Sequence, residues 1–513
     1  MPLPVQCTIH PSTYRDSVTL MAVARELTQL TGVADAAVVM ATPANQAILH
    51  EAGLLLPEIA AAGPNDLVIV VRAASEAAAA AALEQARQHL ERKAAAGARG
   101  ADRAPRTLRA ALRSRPGANL AVISVAGEFA AAEAWEALHS GLHVFLFSDN
   151  VSLEDELALK QYAAAHDLLL MGPGCGTALL DGVALGFANV VPRGPAGIVA
   201  AAGTGLQEVS TLLARMGVGV SQGIGTGGRD LSAAIGGITM RQGIRLLQDD
   251  PQTQVLVLVS KPPAPAIAEQ VLTELRRSPK PAVVCFLGGD PAPIAAAGAV
   301  PARTLAEAAR RAAERCGGVE SAAEPQGAVG AGELASRLRP GQRDLRALYS
   351  GGTLLAEAQV IWREMGLAVH SNAPLDQSLR LADTARSRGH CALDLGEEEF
   401  TVGRPHPMID HDLRIRRLRQ EAADPAAAVL LLDVVLGYGA HPDPAAELGP
   451  AVERARTEAA QAGRDIVVVA SVTGTDQDPQ GYSRQVRALE EAGTVVASCN
   501  AAAAALAAEI VKS

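Results

Sequence analysis

Two glycine-threonine turns in the sequence could bind an anion. Ala202-Gly203-Thr204-Gly205 and Ser350-Gly351-Gly352-Thr353 each follow an apolar stretch and precede a helical one. A helix that starts directly after a strand directs free N–H groups and the positive end of its dipole at one place. Glycine lets an oxyanion approach closely, and a threonine hydroxyl adds a hydrogen bond. Tight packing explains one such turn equally well, but the pair predicts a phosphate or phosphoryl-transfer site.

The surroundings of the two turns indicate an internal duplication. Both turns continue as Gly-Thr-x-x-x-Glu. Further along, VLVLVSKPP (255–263) parallels VLLLDVVLG (429–437), and KPAVVCFLGGDP (280–291) parallels RDIVVVASVTGTDQDP (464–479). Three matches in the same order favour duplication over chance. A pseudo-two-fold axis between the copies would direct both helix starts at one phosphate.

Further polar residues lie where predicted strands end. Arginine offers bidentate recognition of a carboxylate or phosphate, and histidine can be an acid, a base or an oxyanion donor. The alternative, a rigid proline-bracketed loop with a structural histidine, stays open for His406. A glycine-rich stretch, 171–177, is equally consistent with a ligand loop and a sharp turn. The catalytic candidates are Arg404, His406 and Arg229, the further phosphate- or substrate-binding candidates are Gly228, Asp230, Asp433, Thr473 and Gly474, and the loop candidates are Gly172, Gly174, Gly176 and Thr177.

Composition excludes several classes of protein. The chain has 513 residues, 49% hydrophobic and 19% charged, which is enough for real cores in three or four domains. With 45 Lys+Arg against 55 Asp+Glu, it has no basic field for nucleic acid or an anionic membrane. The six cysteines form no CxxC pair and the histidines show no metal spacing, so we expect neither disulfides nor a metal. No apolar run spans a bilayer and the start lacks a signal-peptide pattern, which predicts a cytoplasmic protein.

The order of elements predicts an α/β fold. Short apolar stretches alternate with helical ones almost throughout, a pattern typical of parallel α/β domains. Two small-residue segments, 94–106 and 321–333, read as linkers. The predicted domains are a small N-terminal α/β unit over 1–95, a Rossmann-like domain over 108–192, and two duplicated flavodoxin-like domains with parallel sheets over 193–320 and 340–513.

Several segments resemble succinyl-CoA synthetase. IVAAAGTGLQEV with GIGTGGRD resembles the Ser-Gly-Thr and Gly-Gly-Asp elements of the α-subunit, and YSGGTLLAEAQ resembles the phosphate-binding turn of the β-subunit. The stretch from FAAAEAW to GPGCG resembles the second half of the CoA-binding domain. The whole chain, from YRDSVTLM to TGTDQDPQ, resembles the FdrA family of acyl-CoA-synthetase-like proteins. The resemblance implies two fused ligase domains behind a CoA-binding-type domain, with the glycine-rich stretch as a CoA-type loop.

One position departs from the synthetases. Their strand equivalent to KPAVVCFLGG leads to a loop that carries the phosphorylated histidine in a His-Ala-Gly-Ala sequence. Here that loop reads Ala296-Ala297-Gly298-Ala299, and no ATP-grasp domain is recognisable. Without the carrier there is no phosphohistidine relay. We therefore expect phosphate or carbamoyl phosphate as a substrate and no certain cofactor, with CoA or a nucleotide as an open alternative.

The family resemblance implies a carbamoyltransferase subunit of the oxamate type, which acts in allantoin breakdown. The reaction would be oxalurate plus phosphate giving oxamate plus carbamoyl phosphate. Arg229 would receive the carboxylate, and Arg404 with His406, or the turns themselves, would stabilise the oxyanion. We expect an oligomer that works with separate enzyme subunits encoded nearby on a small-molecule substrate.

Two alternatives remain open. One is a subunit of an NDP-forming acyl-CoA synthetase that borrows its nucleotide domain and carrier histidine from another chain. The other is a non-catalytic scaffold that senses a phosphorylated metabolite.

Overall fold

The structure is a computed structural model that describes residues 3–13, 17–28, 30–98, 105, 107–318, 330–401 and 405–513. It divides into two compact units, Met1–Ser114 with Glu398–Pro405, and Arg115–Glu397 with His406–Ser513. Residues 108–114, predicted as the start of the Rossmann-like domain, belong to the first unit. No helix in the described part combines the length and apolar character that a bilayer crossing requires.

The strands and helices of the described residues are numbered in chain order. The strands are β1 (Val5–His10), β2 (Val33–Met40), β3 (Leu67–Ala73), β4 (Leu120–Ile123), β5 (His143–Leu146), β6 (Leu170–Met171), β7 (Thr177–Leu180), β8 (Val183–Gly186), β9 (Ala196–Ala200), β10 (Val220–Gly225), β11 (Val255–Ser260), β12 (Ala282–Phe286), β13 (Val300–Pro301), β14 (Asp344–Tyr349), β15 (His370–Ser371), β16 (Cys391–Asp394), β17 (Ala427–Val435), β18 (Val467–Thr473) and β19 (Val495–Ala497). The helices are α1 (Ser17–Thr28), α2 (Pro43–Glu51), α3 (Pro57–Ala60), α4 (Glu76–Ala98), α5 (Leu108–Ser114), α6 (Gly127–His139), α7 (Leu153–Ala165), α8 (Gly203–Arg215), α9 (Ile238–Asp249), α10 (Pro265–Arg276), α11 (Pro291–Ala296), α12 (Leu305–Arg315), α13 (Ala331–Ala335), α14 (Gly352–Glu364), α15 (Glu398–Thr401), α16 (Asp412–Ala423), α17 (Pro444–Gln461), α18 (Tyr482–Glu491) and α19 (Asn500–Lys512).

The first unit contains a three-stranded sheet in the order β1-β3-β2. Strand β3 pairs antiparallel with both neighbours, and α1 connects β1 to β2 across the gap that β3 fills. The alternation of strands and helices in the sequence predicts a parallel sheet here, but in the structure β3 is antiparallel to both of its neighbours. Because β3 enters between two parallel strands from the opposite direction, the unit is a split β-α-β arrangement, whose sequence alternates in the same way. The central strand is consequently buried on both faces along Leu67–Val71.

The second unit begins with a small parallel sheet in the order β4-β5-β6, with α6 and α7 as its crossovers. These are the three strands that the sequence predicts for the Rossmann-like domain. Helix α7 is attached to the domain that follows by a buried ion pair. The Nζ of Lys160 lies 2.7 Å from Asp230 Oδ1 and 3.0 Å from Glu156 Oε1. Burial excludes water from all three groups, so each charge depends on the others.

Two larger sheets follow, and their topology confirms the duplication. One has the order β13-β12-β11-β9-β10-β7-β8, and the other has the order β15-β16-β14-β17-β18-β19. Without the β7–β8 hairpin and the short β15, both follow the flavodoxin-like order, with β9 and β14 each as the first strand. The paired segments β11 with β17 and β12 with β18 occupy equivalent positions, as the sequence predicts. The described residues therefore form a mixed α/β fold with several parallel sheets.

The two flavodoxin-like domains share one hydrophobic core. Helices α8 and α14 each begin directly after the first strand of their domain, and their buried faces pack into the same cluster. Leu206 and Val209 contribute from α8, and Leu354 and Leu355 contribute from α14. The indole N–H of Trp362 on α14 donates to a carbonyl of the C-terminal helix α19. The shared core fixes the two helix starts relative to each other.

We predict that Lys160→Met destabilises the fold by about 3–5 kcal/mol, because it leaves the Asp230 carboxylate buried without a cation, while Glu156 keeps its ion pair to Arg229. Urea unfolding measures the loss. The control is Arg245→Met, which removes a half-exposed ion pair to Glu274 whose contribution is about 0–1 kcal/mol. Equal small losses in both variants would contradict the structural role of the buried pair.

Candidate active site at two helix starts

The two predicted glycine-threonine turns lie against each other. A Cβ placed on Gly205 would lie 2.9 Å from Thr353 Cγ2, and a Cβ placed on Gly351 would lie 2.8 Å from Thr204 Cγ2. Each turn therefore offers a glycine to the threonine of the other, in the reciprocal arrangement that a pseudo-two-fold axis produces. Larger residues at either glycine would separate the two helix starts.

The site has the electrostatics of an anion-binding position. The first N–H groups of α8 and α14 have no acceptor within their own helices. Neither helix has a side-chain cap, and both N-cap residues, Ala202 and Gly351, have extended backbones. Two positive dipole ends therefore converge at the carboxyl edges of the two sheets, beside the first strands, where α/β proteins bind ligands.

Asp433 fixes the second turn from inside the protein. Its fully buried carboxylate accepts hydrogen bonds from the backbone N–H groups of Ser350 (2.8 Å) and Gly351 (2.9 Å) and from the Ser350 hydroxyl. The guanidinium of Arg414 lies 2.6 Å from the same carboxylate and neutralises it. The sequence predicts Asp433 as a ligand residue, but its oxygens accept hydrogen bonds from the turn and so fix the conformation of the turn.

Two charged residues that the sequence reasoning missed flank the start of α14. Lys261 follows the last residue of β11, and Asp394 is the last residue of β16. A Cβ on Gly352 would collide with Asp394 Oδ2 and would lie 3.3 Å from Lys261 Nζ. Glycine at this position is thus required by the close approach of the carboxyl group. The available signals were a lysine directly after a strand, in a chain with five lysines, and an aspartate that ends one.

Asp394 is held firmly in an environment that favours its neutral form. Its backbone N–H donates to Asn372 Oδ1 and its carbonyl accepts from Asn372 Nδ2, while Oδ1 accepts from the N–H of Gly396 at 3.0 Å. Burial raises the pKa of Asp394 to about 7, Lys261 opposes that shift, and Glu397 adds to it. A carboxyl group with this pKa can exchange a proton near neutral pH.

His406 lies on the other side of Asp394 as a neutral donor. A Cβ on Gly396 would lie 2.8 Å from His406 Nε2 and 3.2 Å from Asp394 Oδ1. The Nδ1 atom accepts a hydrogen bond from the N–H of Met408, which places the ring proton on Nε2. Burial lowers the pKa of His406 to about 4, so the ring is uncharged at neutral pH. The centroid of the Phe187 ring lies 5.4 Å from the centroid of the His406 ring, and Phe187 contributes to this apolar environment. Arg404, the catalytic candidate beside it in sequence, lies outside the described residues.

Part of the glycine-rich loop borders the first helix start. A Cβ on Gly203 would lie 3.4 Å from Thr177 Oγ1 and 3.8 Å from the Gly176 Cα. The Thr177 hydroxyl donates to the Phe187 carbonyl at 2.7 Å and is therefore already engaged. This end of the loop thus forms a wall of the site.

The other glycines of that loop face the Rossmann-like sheet. A Cβ on Gly172 would collide with the Leu146 carbonyl, and a Cβ on Gly174 would lie 3.9 Å from Asp149 Cβ. Both glycines serve the packing of the loop on the end of β5. They lie apart from the contact between the two turns.

Two residues of the predicted Gly-Gly-Arg-Asp element, Arg229 and Asp230, are engaged elsewhere. Asp230 accepts from the N–H groups of Thr239 and Met240 at the start of α9, in addition to its ion pair. Arg229 lies 2.9 Å from Glu156 Oε2 and donates to a carbonyl of the Rossmann-like part. Gly228 has open space beside its Cα. Among these residues only Arg229 and Gly228 present a group to solvent.

Thr473 lies in the interface of the two flavodoxin-like domains, and Gly474 packs within its own domain. The Thr473 hydroxyl donates to the buried carboxylate of Glu208 on α8. A Cβ on Gly474 would lie 2.7 Å from a methyl group of Leu436, so this glycine permits tight packing. The sequence predicts both as ligand residues, and the structure places Thr473 in a contact between the domains and Gly474 in a packing contact within one domain.

A pair of buried glutamates ties α8 to α14 behind the two turns. Glu208 and Glu357 occupy the same place in the two copies of Gly-Thr-x-x-x-Glu. Asn500 bridges them, with its N–H donating to Glu208 Oε1 at 3.1 Å and its side-chain amide donating to Glu357 Oε2 at 2.7 Å. Burial, and then the charge of Glu208, raises the pKa of Glu357 to about 7. A proton on Glu357 therefore relieves the repulsion between the two carboxylates.

A further polar cluster contains His411, His441 and Glu447, although the sequence predicts no metal site. Glu447 Oε2 lies 3.3 Å from His411 Nδ1, and Oε1 lies 3.2 Å from His441 Nε2. The N–H of Asp443 donates to His441 Nδ1, which leaves the ring proton on Nε2. A metal would need a lone pair at that atom. The cluster is thus built as a hydrogen-bonded His-Glu-His bridge.

Comparisons with known proteins place the chain in a family. Residues 1–106 match the family described as AllF, heavy metal-associated domain, and residues 348–510 match the CoA-ligase family. The protein YahF of Escherichia coli strain K12 is 44% identical over 513 residues, which are 99% of this chain and 98% of YahF. The chain belongs to the YahF family.

Other relatives of this YahF-family chain are CoA ligases. The α-subunit of the ADP-forming succinate–CoA ligase of Aquifex aeolicus strain VF5 is 29% identical over 151 residues, 28% of this chain and 48% of that subunit. Among solved structures, PH0766 of Pyrococcus horikoshii is similar at 15% identity with a TM-score of 0.33, over 77% of this chain and 84% of that one. The sequence relatives support the resemblance to succinyl-CoA synthetases.

The residues of the N-terminal segment do not fit the heavy metal of its family's description. Cys7 is the only cysteine within residues 1–106, and thiolate sites for soft metals use several cysteines. Burial raises the pKa of the Cys7 thiol, which disfavours the thiolate that would bind a metal. We therefore assign no metal to this segment.

We predict that Glu357→Gln flattens the pH dependence of stability. Because the folded pKa of Glu357 is raised, its stabilising contribution is complete below the ordinary carboxyl pKa and is lost as the pH rises through about 7. The wild-type slope from this group is at most about 1.4 kcal/mol per pH unit. Urea unfolding between pH 5 and 8 measures the slope, with Glu364→Gln, an exposed carboxyl on the same helix, as the control. Equal slopes in wild type and Glu357→Gln would contradict the prediction.

Proposed function

We propose that this chain is a phosphate-using group-transfer subunit of the CoA-ligase-like type. The observation that carries the proposal is the reciprocal contact of the α8 and α14 starts, with the Lys261 ammonium beside them. Two dipole ends and one cation favour a compact, multiply charged anion. Inorganic phosphate, or the phosphoryl end of a carbamoyl or acyl phosphate, is such an anion.

The finer proposal is transfer of a carbamoyl group between oxalurate and phosphate. A phosphate oxygen attacks the terminal ureido carbon of oxalurate and forms a C–O bond. The C–N bond then breaks, its electron pair goes to nitrogen, and a proton completes oxamate, while the proton that hydrogen phosphate carried is released from the new carbamoyl phosphate. In this scheme the Nε2–H of His406 donates to the developing oxyanion, which can accelerate such a step about 10²–10³-fold. Arg229 and Arg404 remain sequence-based proposals for the substrate carboxylate and the oxyanion, and Arg229 would first have to leave Glu156.

The missing carrier supports direct transfer over a nucleotide-driven relay. Ala296, which aligns with the phosphorylated histidine of the synthetases, is the exposed last residue of α11. Its methyl group cannot carry a phosphoryl group. In the Rossmann-like part, the turn from β4 to α6 reads Ser124-Val125-Ala126-Gly127, without the run of glycines with which such turns approach a pyrophosphate. Both features favour phosphate over CoA or a nucleotide as the ligand.

A second candidate is a subunit of an NDP-forming CoA ligase. The CoA-ligase match over residues 348–510 and the succinate–CoA ligase relatives favour it. Under this reading the carrier histidine and the nucleotide domain come from another chain. A non-catalytic sensor of phosphorylated metabolites is the third candidate. For each of these functions we propose a cytoplasmic oligomer that works with separately encoded subunits.

A product assay on the purified chain, alone and with the proteins encoded beside it, distinguishes the three functions. One reaction contains carbamoyl phosphate and oxamate, and the other contains ATP, CoA and a panel of small acids. Release of phosphate that requires oxamate supports carbamoyl transfer. Formation of acyl-CoA overturns it and assigns the ligase function. Phosphate binding without turnover in either reaction indicates the sensor.

We predict that Lys261→Met weakens the binding of inorganic phosphate by about 10- to 100-fold, the effect of one charge-assisted hydrogen bond. Isothermal titration calorimetry measures the dissociation constant. Lys512→Met is the matched control, because it removes the same charge from an exposed lysine at the end of α19. Equal affinities in the two variants would exclude Lys261 from the phosphate site.

A further inference from the structure

The position of Asp394 presents an electrostatic conflict. Its Oδ2 atom lies 2.4 Å from the position that a Cβ on Gly352 would take, at the helix start to which we assign the phosphate. A carboxylate and a phosphate at one helix start repel each other, and together they lose much of the attraction of the dipole. The conflict disappears if the carboxyl group is neutral while the phosphate is bound.

We propose that Asp394 is the proton donor of the transfer reaction: it takes up a proton when phosphate binds and delivers it to the leaving nitrogen of the substrate. The inference rests on the proposed phosphate site and names the substrate class of that site. In the reverse direction, the carboxylate of Asp394 removes the same proton from the attacking amide nitrogen.

The contacts of Asp394 leave one oxygen available for this role. Asn372 holds the backbone on both sides, and the Gly396 N–H occupies Oδ1. Among the hydrogen bonds of the described residues, none ends on Oδ2, which points toward the helix start and Lys261. A proton on Oδ2 would therefore face the substrate.

The charged and titratable groups around Asp394 agree with proton uptake. Lys261 faces it from the end of β11, Asp433 from β17, Glu397 from its own loop and His406 from the loop that precedes α16. Burial with two nearby carboxylates outweighs the single ammonium and raises the pKa of Asp394 to about 7. His406 is a weaker candidate for the acid, because its neutral ring would have to become an imidazolate.

A proton donor at this place points to an amide or ureido nitrogen as the leaving atom. An amide anion is too basic to leave without a proton, so cleavage of a C–N bond needs a general acid. A thiolate, whose conjugate acid has a pKa of about 8.5, can leave without one. Asp394 therefore fits a ureido acid as the substrate better than a CoA thioester.

Binding of inorganic sulfate at different pH values tests the proposal without turnover. Sulfate keeps its double charge across the range, so a change in affinity reports the protein. For the wild type we expect the affinity to fall about 10-fold from pH 6 to pH 8 as Asp394 loses its proton. For Asp394→Asn we expect less than about a twofold change over the same range. Glu364→Gln, an exposed carboxyl at the opposite end of α14, is the control and should keep the wild-type pH dependence.

Turnover supplies the second readout. In the carbamoyl phosphate and oxamate reaction, Asp394→Asn should lower kcat by about 10²–10⁴-fold with the KM for the phosphoryl substrate unchanged or lower. Asp394→Ser, which removes the carboxyl with a smaller side chain, should behave in the same way. A proportional loss in kcat and gain in KM would indicate a structural role and overturn the proposal.

The outcomes separate this inference from the proposed function. If the wild type binds neither sulfate nor phosphate, the phosphate site itself is wrong. If it binds both and Asp394→Asn keeps the wild-type pH dependence, the site stands and Asp394 is not its proton donor. If Asp394→Asn binds sulfate tightly at both pH values but keeps full turnover, the carboxylate only competes with the anion.

Discussion

The reciprocal contact between two helix starts is the constraint on which the rest of this structure depends. Thr204 fits against Gly351 and Thr353 fits against Gly205, so neither turn can move without the other. Buried polar groups behind the two turns support this contact. Asp433 with Arg414 shapes one turn, and Glu208 and Glu357 with Asn500 tie the two helices together one turn further along.

The flavodoxin-like strand order explains why distant residues meet at this contact. In each domain the first strand lies beside the third, so the segments after β9 and β11, and after β14 and β17, emerge side by side. Ligands of open α/β sheets bind at this reversal of strand order. Duplication supplies two such edges, and the shared core turns them toward each other. The strand order therefore determines which residues meet at the site, and few of them outside the two turns can be recognised from the sequence.

This origin determines how much could be predicted from the sequence. The strands, the duplication and both turns were visible because apolar periodicity and glycine-threonine punctuation are local signals. Lys261 and Asp394 were not, because each is an ordinary residue at a strand end and only the fold brings it to Gly352. Asp230 and Asp433 have the residue type of ligands, yet their oxygens are occupied by backbone N–H groups. The antiparallel first sheet was missed because strands and helices alternate along the sequence of a split β-α-β unit in the same way as in a parallel unit.

The fixed contact also gives a physical reason why a carrier histidine can be absent. A relay is needed when the group to be transferred is activated at one place and used at another. Here both helix starts belong to one chain and lie within van der Waals distance of each other, so an anion bound at one start, as we propose, would also lie at the other. The proposed reaction also needs a proton for the leaving group. The helix dipoles carry no transferable proton, and Lys261 would lose the charge that attracts the anion if it gave one up. Two buried carboxyl groups lie at this helix start. The oxygens of Asp433 are occupied by the N–H groups of the turn, so we assign the proton to Asp394.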